Sequence, residues 1–589
     1  LFKAVTRQDF LAALLLLFLP LLLFWPVTVG PSTLLPADNL FAYEPWLSSA
    51  GQMGVDQPHN QLLSDLILEN YAWKKFIRQS IAAGEAPLWN PYILSGQPFL
   101  ANGQHSGLYP FSLLFYILPL SKAYGWFTVL QLWLAGLNMY IFVRILRGSR
   151  LGALAAAITY ALSSVFIVQV VFTMIVAGAV WLPLLLAAIE VIIRKQEEKG
   201  RAGYSPIPYV VFGAAVLGVQ TLAGHVEITY YTLLVSGFFA LGRLLMLAVS
   251  QRTPRFALIL AGWLLAMVLL GVGAGAIQLV PMYEVVSQNF RDSSTSLQQV
   301  REWALPLRRL ITFAIPDFFG SPAHHGFFDI VSRRWQPLGP NAHGEINPLC
   351  PHCTGWDTKT AVEAGAYAGI LPLVLALLAV TAAVRRGFPL RRYVFIFGGL
   401  AVLSLLFAFG SPLYGLLFYG LPGWNQLHSP FRWIFPYTLS LAVLAGAGVT
   451  YLQTASKIPP GPPEGGIPLS SPPFGGQGGL NFPRWLGLLL FWGGLIGLLV
   501  MLAAFVVPAP FIKIGQMVLD RSGLAQNAFA AGRQFFSYLW PHFTRFFALV
   551  MASGGVLWLS LTPIPSPIGR GESDSLTPLP SPIGRGESD

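Results

Sequence analysis

The chain has 589 residues, 54% of them hydrophobic and only 10% charged, and its mean hydropathy is +0.60. Soluble domains carry charge on about a quarter of their residues, so this composition excludes a soluble protein and predicts an all-α polytopic membrane protein. The net charge of +11 is read as a topology signal and not as nucleic-acid binding, because basic residues of membrane proteins collect in cytoplasmic loops.

Apolar runs predict about 12 transmembrane helices, near residues 10–29, 124–143, 151–169, 174–193, 207–223, 226–248, 256–280, 364–384, 393–410, 432–453, 485–507 and 540–560. The first reads as a retained span, since Trp25–Pro26 follows it where a signal peptide would have a small-residue cleavage site. Lys3 and Arg7 place the N-terminus in the cytoplasm. Alternation then makes four basic loops cytoplasmic. They carry Arg144, Arg147 and Arg150; Arg194, Lys195, Lys199 and Arg201; Arg243, Arg252 and Arg255; and Arg385, Arg386, Arg391 and Arg392. Both termini fall inside. Two long loops, about 30–123 and 281–363, fall outside, with shorter outer turns at Gly224–His225, Gly410–Phe431 and Pro508–Pro541. Loops of this length usually carry function, so the outer face of the cytoplasmic (inner) membrane is where a site is expected. Residues 454–484 form a Pro/Gly-rich cytoplasmic linker, 485–560 supply the C-terminal transmembrane helices, and 561–589 form a low-complexity tail. In that tail "LTPIPSPIGRGESD" is repeated as "LTPLPSPIGRGESD".

Within the first outer loop, residues 60–84 have a helical period. Leu62, Leu63, Leu66, Trp73, Phe76, Ile77 and Ile81 fall on one face. Asp65 lies at one edge of that stripe with Glu69 four residues on and just inside it, Lys74 and Arg78 line the other edge, and Gly84 is a suitable stop. Such a helix can lie in the membrane surface. Asp65 and Glu69 are then either solvated edge charges or chemistry held at the lipid–water boundary. The following stretch, "GEAPLWNPYILSGQPFLANGQHSGLYP", is stiffened by prolines and turned by glycines. Trp89, Tyr92 and Tyr109 suit the headgroup level. Asn90, Asn102, Gln104 and His105 offer neutral hydrogen-bonding groups of the kind sugars need, or satisfy the loop's own backbone.

The run from Ser64 to Leu114, with "GEAPLWNPY", "GQP", "AN" and "YP" after an Asp-led amphipathic helix, resembles the signature of bacterial YfhO-like membrane proteins. Supporting pieces follow in order: "AGHVEITYY" at 223–231, "PDFFGSP" at 316–322, "EAGAYAGILPLVLALLAV" at 363–380 and "HSPFRWIFPYTLSLAVLAGAG" at 428–448. The resemblance covers roughly residues 30–450 and stops beyond 451. It implies a GT-C-like transmembrane core over 1–453, and a glycosyltransferase whose donor is a polyprenyl-phosphate sugar and whose acceptor is an envelope glycan, lipid or protein. It also implies that an outer-loop Asp or Glu activates the acceptor. Asp65 matches by position; Asp38, nearer the first span, competes with it, and Asp56 is a weaker third.

Such a transfer needs a base for the acceptor hydroxyl and positive charge for the departing phosphate, from Arg, Lys or a divalent cation such as Mg or Mn. It also needs an apolar groove for the lipid. Arg432, at the mouth of a span in "SPFRWIF", is the favoured phosphate partner, with a snorkelling interfacial Arg as the alternative. Arg308 and Arg309 are further donor-binding candidates. His225 and Glu227 could position the acceptor or bind a metal, or simply form a polar turn. The "CPHC" at 350–353 holds both cysteines of the chain. Cys350, Cys353 and His352 could bind a structural zinc, cycle between dithiol and disulfide, or stay paired as a disulfide in an oxidising compartment. Two other functions fit the architecture: a transporter or flippase of lipid-linked saccharides, and a non-catalytic envelope assembly factor. Against the former, the spans are nearly uncharged, while transporters bury charge near midplane.

Overall fold

The computed structural model describes residues 6–199, 205–251, 254–288, 295–384, 387–427, 429–455 and 478–561. Lys3, Arg201, Arg252, Arg385, Arg386, most of the linker and residues 562–589 of the tail lie outside them. Helices of ten residues or longer run α1 (Arg7–Leu23), α2 (Tyr71–Ala82), α3 (Leu120–Ile145), α4 (Arg150–Ala161), α5 (Thr173–Glu198), α6 (Ile207–Leu222), α7 (Val226–Ser250) and α8 (Pro254–Ala274). They continue as α9 (Ala276–Val286), α10 (Ile370–Ala383), α11 (Arg391–Ala408), α12 (Pro430–Ala455), α13 (Phe482–Val506), α14 (Ala509–Arg521) and α15 (Gly532–Leu561).

Among the described residues eight helices are long and apolar enough to cross a membrane: α3, α5, α7, α8, α11, α12, α13 and α15. The chain is a multi-pass membrane protein. Helices α5 and α12 form its centre, with 89% and 94% of their apolar windows buried, against 22% for α8, α13 and α15. Those peripheral helices turn residues such as Leu258, Leu269, Leu489 and Leu559 outward, as a lipid-facing surface requires. Close backbone packing seats α4 on α12. A Cβ at Gly152 would lie 2.5 Å from the Gly446 carbonyl oxygen, and one at Gly446 2.6 Å from that of Gly152.

Several expected spans are shorter or interrupted. The helix expected over 151–169 stops at Ala161 and restarts as Ser164–Ile167, where the Ser164 amide donates to the Tyr367 carbonyl at 2.8 Å. The run expected over 256–280 breaks at Gly275, between α8 and α9. Helix α10 begins only after Gly369, whose φ of 100° no ordinary helix continues. The expected linker is partly helical: Thr454 and Ala455 end α12, and the helix that continues as the apolar span α13 already begins at Gly478.

One end of the bundle collects charge. Arg243 and Glu190 are both fully buried and meet at 2.7 Å. Glu197 joins Arg243 at 2.9 Å and Arg392 at 3.3 Å, and the Tyr393 hydroxyl donates to Glu190 at 2.5 Å. Arg150 and Tyr140 reach Asp9 at the start of α1. These basic residues, expected as topology markers, are therefore paired with carboxylates. Arg243 stands 17 residues down α7 from Val226, or about 26 Å at the helical rise of about 1.5 Å per residue. The long loops gather at the Val226 end.

There the first loop folds as 3₁₀ turns, α2 and a small antiparallel hairpin, β1 (Trp89–Asn90) with β2 (Gln97–Pro98). The second carries β3 (Gly326–Asp329) paired with β4 (Arg334–Pro337). The two loops touch: Gln57 bonds His325 at 2.6 Å, and His325 also reaches the His59 carbonyl at 2.7 Å. An aromatic core of Phe319, Phe327 and Trp356 with Phe529, Phe535 and Tyr538 joins the second loop to α15 and the turn before it.

Candidate active site

Helix α2 is entered through a π-helical turn at Leu66–Asn70. Single π turns occur often at functional sites because the extra residue rotates the flanking side chains. Its effect is visible in what is buried. Leu66, Ile67, Asn70, Trp73, Lys74 and Ile77 face inward, while Leu62 and Ile81, expected on the apolar stripe, are 41% and 51% exposed. Lys74, expected at a charged edge, is fully buried and donates to the His105 carbonyl at 2.5 Å. Its ammonium also lies 4.4 Å over the Phe115 ring. Burial pushes its pKa down to about 7. Asp65 and Glu69 remain exposed and turn toward a cavity.

That cavity, of about 310 Å³, is lined by Asp65, Glu69, Asn70, Trp73, Gln104, Gln169, Val171, Phe172, Met174, Ile175, His225, Val362, Glu363, Phe431 and Arg432. Six separate stretches of sequence meet there. A smaller apolar cleft adjoins it, sharing Gln169, Ile175, Val362, Glu363, Phe431 and Arg432 and adding Val165, Phe166, Val176, Ala179, Ile228, Ile434 and Phe435. Polar and apolar compartments thus meet at Arg432.

Arg432 is anchored through one nitrogen. Its Nη1 donates to His225 Nε2 at 3.1 Å and lies 3.0 Å from Glu227 Oε2. Nε and Nη2 of the planar fork take no part in those two contacts. Burial, then the neighbouring guanidinium, pushes the His225 pKa down to about 3, so the imidazole is neutral and accepts. The turn that presents it is tightly fitted: Gly224 has φ 86°, and a Cβ there would stand 1.9 Å from the Gly103 carbonyl oxygen. Glu69 sits beside Asp65, and burial followed by that neighbouring charge raises its pKa. Glu363 belongs to the short helix Ala361–Ala364, where it caps the Thr360 amide at 3.2 Å and meets Lys359 at 3.1 Å. Gln169 donates from Nε2 to the Val362 carbonyl at 2.8 Å; its Oε1 is buried without a partner among the described residues.

Of the residues expected from sequence, the cavity brings together Asp65, Glu69, Gln104, His225 and Arg432, with Glu227 bonded behind. Others are engaged elsewhere. Asp38 accepts from the His59 amide at 2.6 Å and does not line the cavity. Arg308 and Arg309, expected at a donor phosphate, both bind the buried Asp357, at 2.6 and 2.5 Å, and neither lines the cavity. His105 is a core residue that accepts from the Gly107 amide at 2.8 Å and stacks on Phe99. Asn90 accepts from the Tyr92 amide at 3.0 Å within its hairpin. Trp89 is exposed on the same hairpin, and neither it nor Asn102 lines the cavity. Cys350 and Cys353 are joined in a disulfide, the third of the alternatives weighed; both sulfurs are used, which leaves none for zinc, and His352 has no cysteine thiolate to join. Among the described residues no three His, Cys, Asp or Glu side chains group together as a metal-binding cluster.

Sequence reasoning missed Gln169 and Glu363. Both left a signal: a lone amide inside the apolar "FIVQVVF", and a T-x-x-E capping box from Thr360 to Glu363.

Residues 104–318 match the family model of the bacterial membrane protein YfhO. This segment is similar to YfhO over Gln104, Gln169–Ile175 and His225 of the cavity wall; Asp65, Glu69, Glu363 and Arg432 lie outside it. Among curated proteins none matches the chain. A solved structure, ArnT from Cupriavidus metallidurans in the apo state, is similar at 16% identity over 82% of this chain and 72% of its own, with a TM-score of 0.30. That score is too low to establish a shared fold.

Proposed function

We propose that the chain is a GT-C-type membrane glycosyltransferase that moves a sugar from a polyprenyl-phosphate donor to an envelope glycan, lipid or protein. On this reading the apolar segments cross the cytoplasmic membrane twelve times, both termini are cytoplasmic, and the cavity opens on the outer face. The observation that carries the proposal is the convergence of Asp65 and Arg432 on one cavity beside an apolar cleft. The similarity of residues 104–318 to YfhO supports it.

The chemistry follows from the arrangement. The cleft takes the first part of the lipid chain, which leaves the donor phosphate at Arg432, where the unengaged edge of the guanidinium can bind two oxygens. The acceptor hydroxyl oxygen attacks the anomeric carbon as the bond from that carbon to the phosphate oxygen breaks. The bonding pair leaves with polyprenyl phosphate, and the acceptor proton passes to Asp65. Arg432 stabilises the charge that develops on the leaving phosphate.

Reconstituted protein given a polyprenyl-phosphate sugar and an envelope acceptor should release polyprenyl phosphate. Asp65→Asn should slow release by about 10²–10⁴-fold with an unchanged melting temperature, while Asp38→Asn should not. Full activity of Asp65→Asn removes the base assignment. Lipid-linked sugar that crosses the bilayer without being consumed would favour the transporter or flippase reading.

A further inference from the structure

The cavity is uneven in charge. At the end shared with the apolar cleft the lining charges are matched: Arg432 pairs with Glu227, and Glu363 pairs with Lys359, which stands behind the lining with its ammonium 5.2 Å over the Phe431 ring. The remaining part carries Asp65 and Glu69 on adjoining turns of one helix. Both are exposed, and neither has an ion-pair partner among the described residues.

We propose that the cavity selects the donor sugar by charge, admitting neutral or cationic sugars and rejecting acidic sugars such as uronic acids. This rests on the glycosyltransferase reading above. With the lipid in the cleft and the phosphate at Arg432, the sugar falls between Trp73, Gln104 and the Asp65–Glu69 pair. A volume of about 310 Å³ lies at the lower end of the roughly 300–1,000 Å³ typical of small-ligand sites, which accommodates a sugar ring. A sugar carboxylate would meet two like charges at close range, a discrimination on the order of tenfold or more.

The test uses three donors on one polyprenyl phosphate: glucosyl, glucuronyl and the methyl ester of glucuronyl. Equilibrium binding and turnover are both measured. Glucosyl and ester donors should bind alike, and the glucuronyl donor at least about tenfold more weakly at low salt. The gap should shrink as salt is raised, because the two carboxylates are solvent-screened, and Glu69→Gln should narrow it. Equal binding of glucuronyl and glucosyl donors overturns the proposal. So does rejection of the uncharged ester, which would mark a size limit instead. If binding keeps the expected order but no donor turns over, charge selection stands and the transferase reading falls; if none of the three binds, both fall.

Discussion

Arg432 has two readings, a phosphate partner and a structural ion pair, and a double-variant cycle separates them. Arg432→Gln leaves Glu227 without its counter-charge. The Glu227 side chain is only 13% exposed, that of Arg432 25%, and Glu227 Oε1 already has no hydrogen-bond partner among the described residues. Breaking a fully buried pair from one side costs about 3–5 kcal/mol; the partial exposure here brings the expected loss to about 2–3 kcal/mol. Adding Glu227→Gln removes the stranded charge and should restore all but about 1 kcal/mol. Activity should not follow. Arg432 is the only cationic side chain among the described residues lining the cavity, and losing such a charge-stabilising group costs about 10²–10³ in rate. Thermal unfolding in detergent and the polyprenyl-phosphate release assay read the two effects separately. If activity returns together with stability in the double variant, Arg432 is structural and the phosphate assignment is wrong.

Three further outcomes are expected. Lys74 has a folded pKa of about 7 against 10.5 for the free side chain, so between those values the unfolded chain binds more protons and stability rises with pH, by at most about 1.4 kcal/mol per pH unit. Lys74→Met should therefore raise the melting temperature at pH 7, with the gain fading toward pH 10; a lower melting temperature at pH 7 would show that the His105 carbonyl and the Phe115 ring more than offset the burial of the amine. Gly224→Ala forces a Cβ into the Gly103 carbonyl at a φ of 86° and should cost at least about 2 kcal/mol, weakening donor binding as the Gln104 and His225 walls separate; near-native unfolding would show that this joint yields easily. Replacing Cys350 and Cys353 by Ser should leave transfer unchanged, because the disulfide lies off the cavity, and the purified wild-type chain should carry no zinc by metal analysis. One bound zinc per chain would restore the zinc reading.

The apolar runs were legible as membrane helices because bilayer length and hydropathy act locally along the chain. Their ends were less so. Gly275 and Gly369 break helices inside uniformly apolar stretches, where composition gives no warning. Positive residues marked one end of the bundle, but the complete burial of Arg243 with Glu190 depends on α5 and α7 meeting. Partner choice was the least legible property. Arg308 and Arg309 look like free phosphate ligands until Asp357, 48 residues on from Arg309, is seen to hold them both.

The π turn at Leu66–Asn70 shows how one local irregularity carries a functional consequence that periodicity cannot supply. A strict α-helical reading of residues 60–84 puts Asp65 at the edge of an apolar stripe, Glu69 just inside it and Lys74 at the opposite edge. One additional residue in a turn shifts the following faces by about 100°. The buried face then includes Asn70, whose side chain is held between Thr173 and Tyr124, and Lys74, capped by the His105 carbonyl. With that face fixed, the two acids are held toward the chamber instead of sliding along a membrane surface. If the turn sets their aim, deleting one residue within Leu66–Asn70 should abolish transfer more completely than Asp65→Asn, since it redirects both carboxylates and breaks the Asn70 and Lys74 contacts together. A deletion variant that keeps wild-type transfer would mean that the helix tolerates either register, and that the position of Asp65 on the cavity is not what activates the acceptor.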